Sequence, residues 1–156
     1  MCIRDSWPAG IDSSLTGTIA DQAQHVIDIV PTLLELTGAL YPGNYASEGM
    51  VQPAGVSFAG ALRGDARGQS DRSLYFQFHD HWAVIRGNMK LVVAWSRPME
   101  LYDLAADRAE MTNLVGDQPD LARAMYEEWL EWAEARDVVL NPTRNHPHEP
   151  EYLPYP

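Results

Sequence analysis

Hydrophobic and polar positions along the chain follow two different periods. In HVIDIVPTLLELTG (residues 25–38), Ile29, Leu33 and Leu36 recur at i, i+4 and i+7 with Val30 and Leu34 beside them, the apolar face of a helix. Asp28 is the expected N-cap. Pro31 falls in the first turn, where its missing N–H costs no helical bond, and Gly38 stands where a left-handed residue ends the helix. From Ser73 the period becomes two. Leu74, Phe76 and Phe78 face one way and Tyr75, Gln77 and His79 the other, as in a half-buried strand. Residues 82–86 and 89–95 repeat the pattern across Gly87-Asn88, a tight-turn pair, and residues 100–104 make a fourth strand. Four neighbouring strands with short links predict an antiparallel meander. A second helix is expected from Asp117-Gln118-Pro119-Asp120, with Asp117 as cap and Pro119 in the first turn. Leu121, Met125, Trp129 and Trp132 form its apolar stripe, while Glu127, Glu128, Glu131 and Glu134 lie largely off it. That stripe is expected to cover the apolar face of the sheet.

The remaining segments read as connections. Residues 11–24 are polar, residues 39–69 are rich in Gly, Pro and Asn with a short apolar turn at 56–62, and residues 141–156 hold five of the eleven prolines. In DLAADRAEMTNL, Asp107 and Asn113 suit side-chain-to-backbone turns. The 156 residues suffice for one ordinary domain or two small subdomains, and 46% apolar content with five Trp and seven Tyr argues for a folded chain. A net charge of −11 disfavours nucleic-acid partners. No apolar run reaches the roughly 18–20 residues of a membrane helix. Cys2 is the only cysteine, so no internal disulfide forms.

Few residues suggest chemistry. His79-Asp80-His81 sits at the bend between two strands, where two imidazoles around a carboxylate could bind a metal or contact an anion; a plain turn with exposed imidazoles is the alternative. His25 suits a packing or hydrogen-bonding role, and His146 and His148 a solvated tail. Arg86 and Lys90 flank the hairpin, where solvation competes with anion binding. Ser13, Ser14 and Ser57 have no base or oxyanion signature nearby, and no phosphate loop or carboxylate cluster with metal-site spacing occurs.

Three segments, taken in order over residues 7–139, resemble one family. WPAGI with HVIDIVPTLLELTGA, then AVIRGNMKLV, then MELYDLAADRAEMTNLV with QPDLARAMYEEWLEWA are similar to the C-terminal part of type I, arylsulfatase-like sulfatases of the alkaline-phosphatase-like superfamily. Arg108 departs from the proline usual after the Asp, and Met89 from an aromatic residue. The resemblance implies an α+β fragment: the end of an alkaline-phosphatase-like α/β domain followed by a four-stranded antiparallel sheet with a packed helix. For the whole protein it implies hydrolysis of sulfate esters by a formylglycine nucleophile, made from Cys or Ser in Cys/Ser-x-Pro-x-Arg, beside a calcium ion. No Cys/Ser-x-Pro-x-Arg occurs in this chain. The chain is therefore expected to be inactive alone and to complement a missing N-terminal catalytic region. It is expected to lend His79 and His81 to the wall of the sulfate-ester pocket. Catalytic and metal-ligand residues are not expected within it.

A related phosphodiesterase or phosphonate hydrolase and a non-enzymatic binding module are the competing readings. Family members are commonly exported, which suggests a periplasmic or secreted parent. The expected divisions are 1–6, 7–68 (edge of the catalytic domain), 69–140 (C-terminal subdomain) and 141–156 (tail). Residues 1–6, MCIRDS, read as a translated sequencing adapter. Residues 7–68 are expected to fold poorly alone, because the helix face of Ile29, Leu33 and Leu36 lacks its sheet, whereas residues 73–136 are expected to keep a local core.

Overall fold

The computed structural model describes residues 10–19, 22–45, 48–65, 72–79, 81–94 and 97–138. The chain divides into two compact units, residues 1–70 and 71–156.

In the first unit, the anticipated helix is α1, Ile29–Thr37, entered through a 3-10 turn, Val26–Asp28. Gly38 ends it at φ 70°, as expected. Its start differs from the expectation. Asp28 makes no side-chain cap to α1. His25 caps instead: its Nδ1 accepts from the Ile27 N–H at 3.3 Å, while Asp28 Oδ2 accepts from the His25 N–H at 2.8 Å. Asp28 is fully buried, and its second oxygen accepts from the Val56 N–H at 2.9 Å. A buried carboxylate needs donors, and these two amides supply them more fully than a helix cap would. Thr32 extends the link by donating to the Asp28 carbonyl at 2.6 Å and accepting from the Phe58 N–H at 3.0 Å. A short helix α2, Ala59–Leu62, follows. At Gly55 a Cβ would lie 2.1 Å from the Ile27 carbonyl oxygen, so only glycine fits this approach. Two-residue strands β1, Asn44–Tyr45, and β2, Glu48–Gly49, pair antiparallel.

The second unit is the expected meander. Strands β3, Leu74–Phe78, β4, His81–Arg86, β5, Met89–Val93, and β6, Glu100–Asp103, pair antiparallel in chain order. Arg86 faces Met89 across Gly87-Asn88, with Gly87 at φ 58°, the glycine-first hairpin turn. Helix α3, Pro119–Glu134, begins on its proline, with Gln118 rather than Asp117 at the N-cap position. The architecture is α+β, as anticipated.

The helix covers the sheet face that carries Trp82, Val84, Leu91, Val93 and Leu101, not the face of Phe76 and Phe78. Trp82 stacks on Trp129 at 4.3 Å between ring centroids, and Tyr75 on Trp132 at 4.9 Å. The buried positions of α3 are Ala122, Met125, Tyr126, Trp129 and Ala133, a stripe turned from the expected one, with Leu121 and Trp132 at its half-buried margin. Small alanines let the helix approach closely, so they occupy the contact line that larger residues flank. Glu128 is not on a wet face. It accepts from the Tyr75 hydroxyl at 2.8 Å and pairs with Arg86 at 3.2 Å. After β6, Asp107 Oδ2 accepts from the Met111 and Thr112 amides, both at 2.7 Å. Asn113 Oδ1 accepts from Leu101 at 3.1 Å and Val115 at 3.0 Å, so the expected turns form.

Candidate functional site

The two candidate histidines stand at the turn end of the β3–β4 hairpin. Phe78 pairs with His81 in the ladder, which leaves His79 and Asp80 as a two-residue loop; Asp80 lies outside the described residues. His79 leaves the strand alternation because its backbone is left-handed, at φ 52°. Both imidazoles are exposed. The Phe78 ring, 72% exposed, meets the His79 ring edge-on at 4.5 Å. One residue back, the Gln77 side-chain Nε2 donates to the His79 carbonyl. The tip therefore presents an aromatic ring and two imidazoles within four residues. Such a set can contact an anion or a sugar face.

The other candidates are engaged elsewhere. Arg86 is tied to Glu128, and Lys90 holds both carboxylate oxygens of Glu110 at 2.7 and 2.8 Å, so neither is the solvated cation expected from a hairpin. The Tyr75 hydroxyl beside Glu128 has its pKa raised, first by burial and then by that carboxylate. His25 is a capping residue. Ser14 Oγ donates to Asp12 at 2.6 Å, and Ser57 Oγ accepts from the Ala59 N–H at 3.2 Å. His146 and His148 lie outside the described residues. Among the described residues, no group of three His, Cys, Asp or Glu side chains is placed to hold a metal ion. None of the helices there is long and apolar enough to cross a membrane. The first unit contains a half-open hollow of about 520 Å³, lined among the described residues by Ile11, Leu15, Phe58 and Leu62, with Asp65 the one ionisable group among them. It has no convergent chemistry.

Gln77 is the site-related residue that the sequence reading missed. Its alternation gave only a strand position, and nothing local marks a side chain that reaches the carbonyl two residues on.

No family model matches the chain. It is 28% identical over 130 residues, 80% of its length, to an uncharacterized sulfatase of Schizosaccharomyces pombe. It is 27% identical over 155 residues to a sulfatase of Formosa agariphila, covering 86% of its length. The chain is thus similar to two sulfatases. It spans about a quarter of these relatives, 24% and 27% of their lengths, and corresponds to a sulfatase-like C-terminal part. Among solved structures, Ps i-CgsB matches with a TM-score of 0.62 over 81% of this chain and 27% of its own, at 17% identity. The phosphonate monoester hydrolase of Agrobacterium radiobacter matches with a TM-score of 0.50 over 82% of this chain and 29% of its own, at 23% identity. At these identities the structural likeness is one of fold.

Proposed function

We propose that the chain is the C-terminal part of a sulfuric ester hydrolase, and that its β3–β4 hairpin tip is a wall of the substrate pocket. The observation that carries this reading is the 28% identity to a sulfatase over 80% of the chain. The tip fits the role: exposed His79 and His81 can donate to a sulfate oxygen, and the exposed Phe78 ring can pack on the organic half of the ester.

A divalent cation and a formylglycine would serve the whole enzyme. The residues present here do not make that centre, since the described part has no three-residue ligand group and the sequence no Cys/Ser-x-Pro-x-Arg. No reaction step is assigned to this chain; its part is to bind and orient the ester. A phosphonate or phosphodiester hydrolase is the second reading, favoured by the fold shared with the Agrobacterium enzyme.

Recovery of the DNA that flanks this coding segment on its 5′ side tests both. A continuous frame containing Cys/Ser-x-Pro-x-Arg supports the sulfatase, and a different nucleophile motif supports the second reading. In that longer enzyme, replacing His79 and His81 with Ala is expected to raise KM for 4-nitrophenyl sulfate more than it lowers kcat. An unchanged KM removes the hairpin from the pocket.

A further inference from the structure

We infer that Gln77 is a positioning residue for His79 and His81, and that its side-chain amide fixes the hairpin tip in the geometry the proposed site uses. The inference rests on the pocket-wall reading for its functional meaning and on the following geometry for its structural part.

A two-residue hairpin loop with a left-handed first residue ordinarily takes glycine or asparagine there, because a Cβ is crowded by the neighbouring carbonyl. Here the position is His79, at φ 52°. A conformation of that kind persists only where its surroundings impose it. Two contacts do so. The Gln77 Nε2 donates to the His79 carbonyl, closing a link across the bend, and the Phe78 ring braces the His79 imidazole edge-on at 4.5 Å. Only the amide nitrogen can face a carbonyl oxygen, so the donor end of Gln77 is fixed by chemistry.

The anchor is firm because Gln77 is half-buried on the helix-covered face, opposite Trp82 in the ladder. Trp82 is itself 2% exposed and stacked on Trp129. The Gln77 Oε1 atom is enclosed with no protein partner among the described residues, a cost the position bears while its nitrogen holds the loop. Because Phe78 and His81 close the loop directly, the φ of residue 79 decides how the two imidazoles are set relative to each other. Gln77 thus links the helix-covered face of the sheet to the tip.

NMR of the 156-residue chain tests the structural part without any ligand. In Gln77→Ala the His79 amide and carbonyl signals are expected to move while those of Leu91 and the Trp129 indole stay, which also reports that the sheet and helix remain packed. Gln77→Glu keeps the size but loses the donor at neutral pH. It is expected to match Gln77→Ala there and to return toward wild type measured at the same pH as the carboxyl protonates, at or above the ordinary value of about 4.3 because the site is part-buried, where the acid O–H again donates. A packing role alone would not follow pH in this way. Unmoved His79 signals in Gln77→Ala, or no return in Gln77→Glu at low pH, overturn the inference.

The functional part is read in the longer enzyme. There Gln77→Ala is expected to raise KM for 4-nitrophenyl sulfate about tenfold, equivalent to about 1.4 kcal/mol. If His79→Ala and His81→Ala leave KM unchanged, the pocket-wall reading fails while the NMR result on Gln77 still stands. If they raise it and Gln77→Ala does not, the positioning inference fails alone.

Discussion

Tyr126 gives the second unit a quantitative alkaline weakness. Its ring lies 5.7 Å from that of Trp82, and 7% of the residue is exposed. Burial pushes its phenol from the ordinary 10 up to about 12. Ionisation is thus about a hundredfold harder in the folded chain than in the unfolded one, a ceiling of about 3 kcal/mol. The sign follows from which state loses the proton first. Below about pH 10 neither state is ionised and the contribution is fully present; above it the unfolded chain gives up its proton first, so stability falls until the folded phenol titrates near 12. At about pH 11, midway between the two values, roughly half is lost, about 1.4 kcal/mol.

Urea denaturation of the full chain, followed by tryptophan fluorescence at about pH 9 and pH 11, measures this loss. The raised pKa values of Tyr75 and Tyr102 act in the same pH region, so the comparison is with Tyr126→Phe, which keeps the ring and removes the hydroxyl. Wild type should lose about 1.4 kcal/mol more than the variant between the two pH values. Equal losses would refute the reasoning, because burial would then not be holding the phenol neutral. Absorbance titration of tyrosinate gives a second check: the variant should lack one late-titrating group.

Other outcomes follow from single contacts. Asp28→Ala removes the acceptor from the part-buried His25 and Val56 amides, at about 1 kcal/mol each, and should increase hydrogen exchange at Val56. Asp137 follows α3 at φ 51°, with the Val138 N–H bonded to the Ala133 carbonyl at 3.0 Å, a left-handed helix end that favours glycine. Asp137→Gly should therefore stabilise the second unit by up to about 1 kcal/mol in urea denaturation, helped by the removal of an acidic group from the negative helix terminus. Hydrogen exchange of the intact chain should be slower at Val84 and Leu91 than anywhere in α1, and equal protection would count against separate stabilities for the two units.

Much of the second unit could be read from local pattern. Period two placed β3 to β6, and glycine at position 87 placed the central turn, because these depend on neighbours in sequence. What escaped depends on distant partners. Glu128 was one of four acids placed largely off the apolar stripe, yet Tyr75 and Arg86, 53 and 42 residues away, draw it into a part-buried network. The stripe of α3 was misplaced because Ala122 and Ala133 have little hydrophobic weight but are what allows close contact with the sheet. Asp28 was read as a cap since Asp is a good one, and only the approach of Val56 reveals the better use of its carboxylate. For the candidate site, the hairpin location of His79 and His81 was legible. The left-handed backbone of His79 was not, because histidine is an uncommon choice there and the bond that supports it comes from a side chain with no local signature.

The distribution of apolar residues argues that the two units owe their order to different sources. Every member of the buried cluster, from Trp82 to Ala133, lies in the second unit, where a helix closes one sheet face. Among the described residues of the first unit, Ala59 is the one buried hydrophobic, whereas Val26, Ile27, Ile29, Val30 and Leu33 are each at least 43% exposed along one stretch of turn and helix. An isolated helix of nine residues is marginal in water and needs an apolar face covered to persist. The Asp28–Val56 and Thr32–Phe58 bonds are too few to replace that cover. The second unit carries its own core, whereas the described residues of the first leave one stretch of turn and helix with its apolar side chains exposed. The hairpin tip with His79 and His81 belongs to the self-supporting unit, and this makes its geometry testable in the chain as it stands.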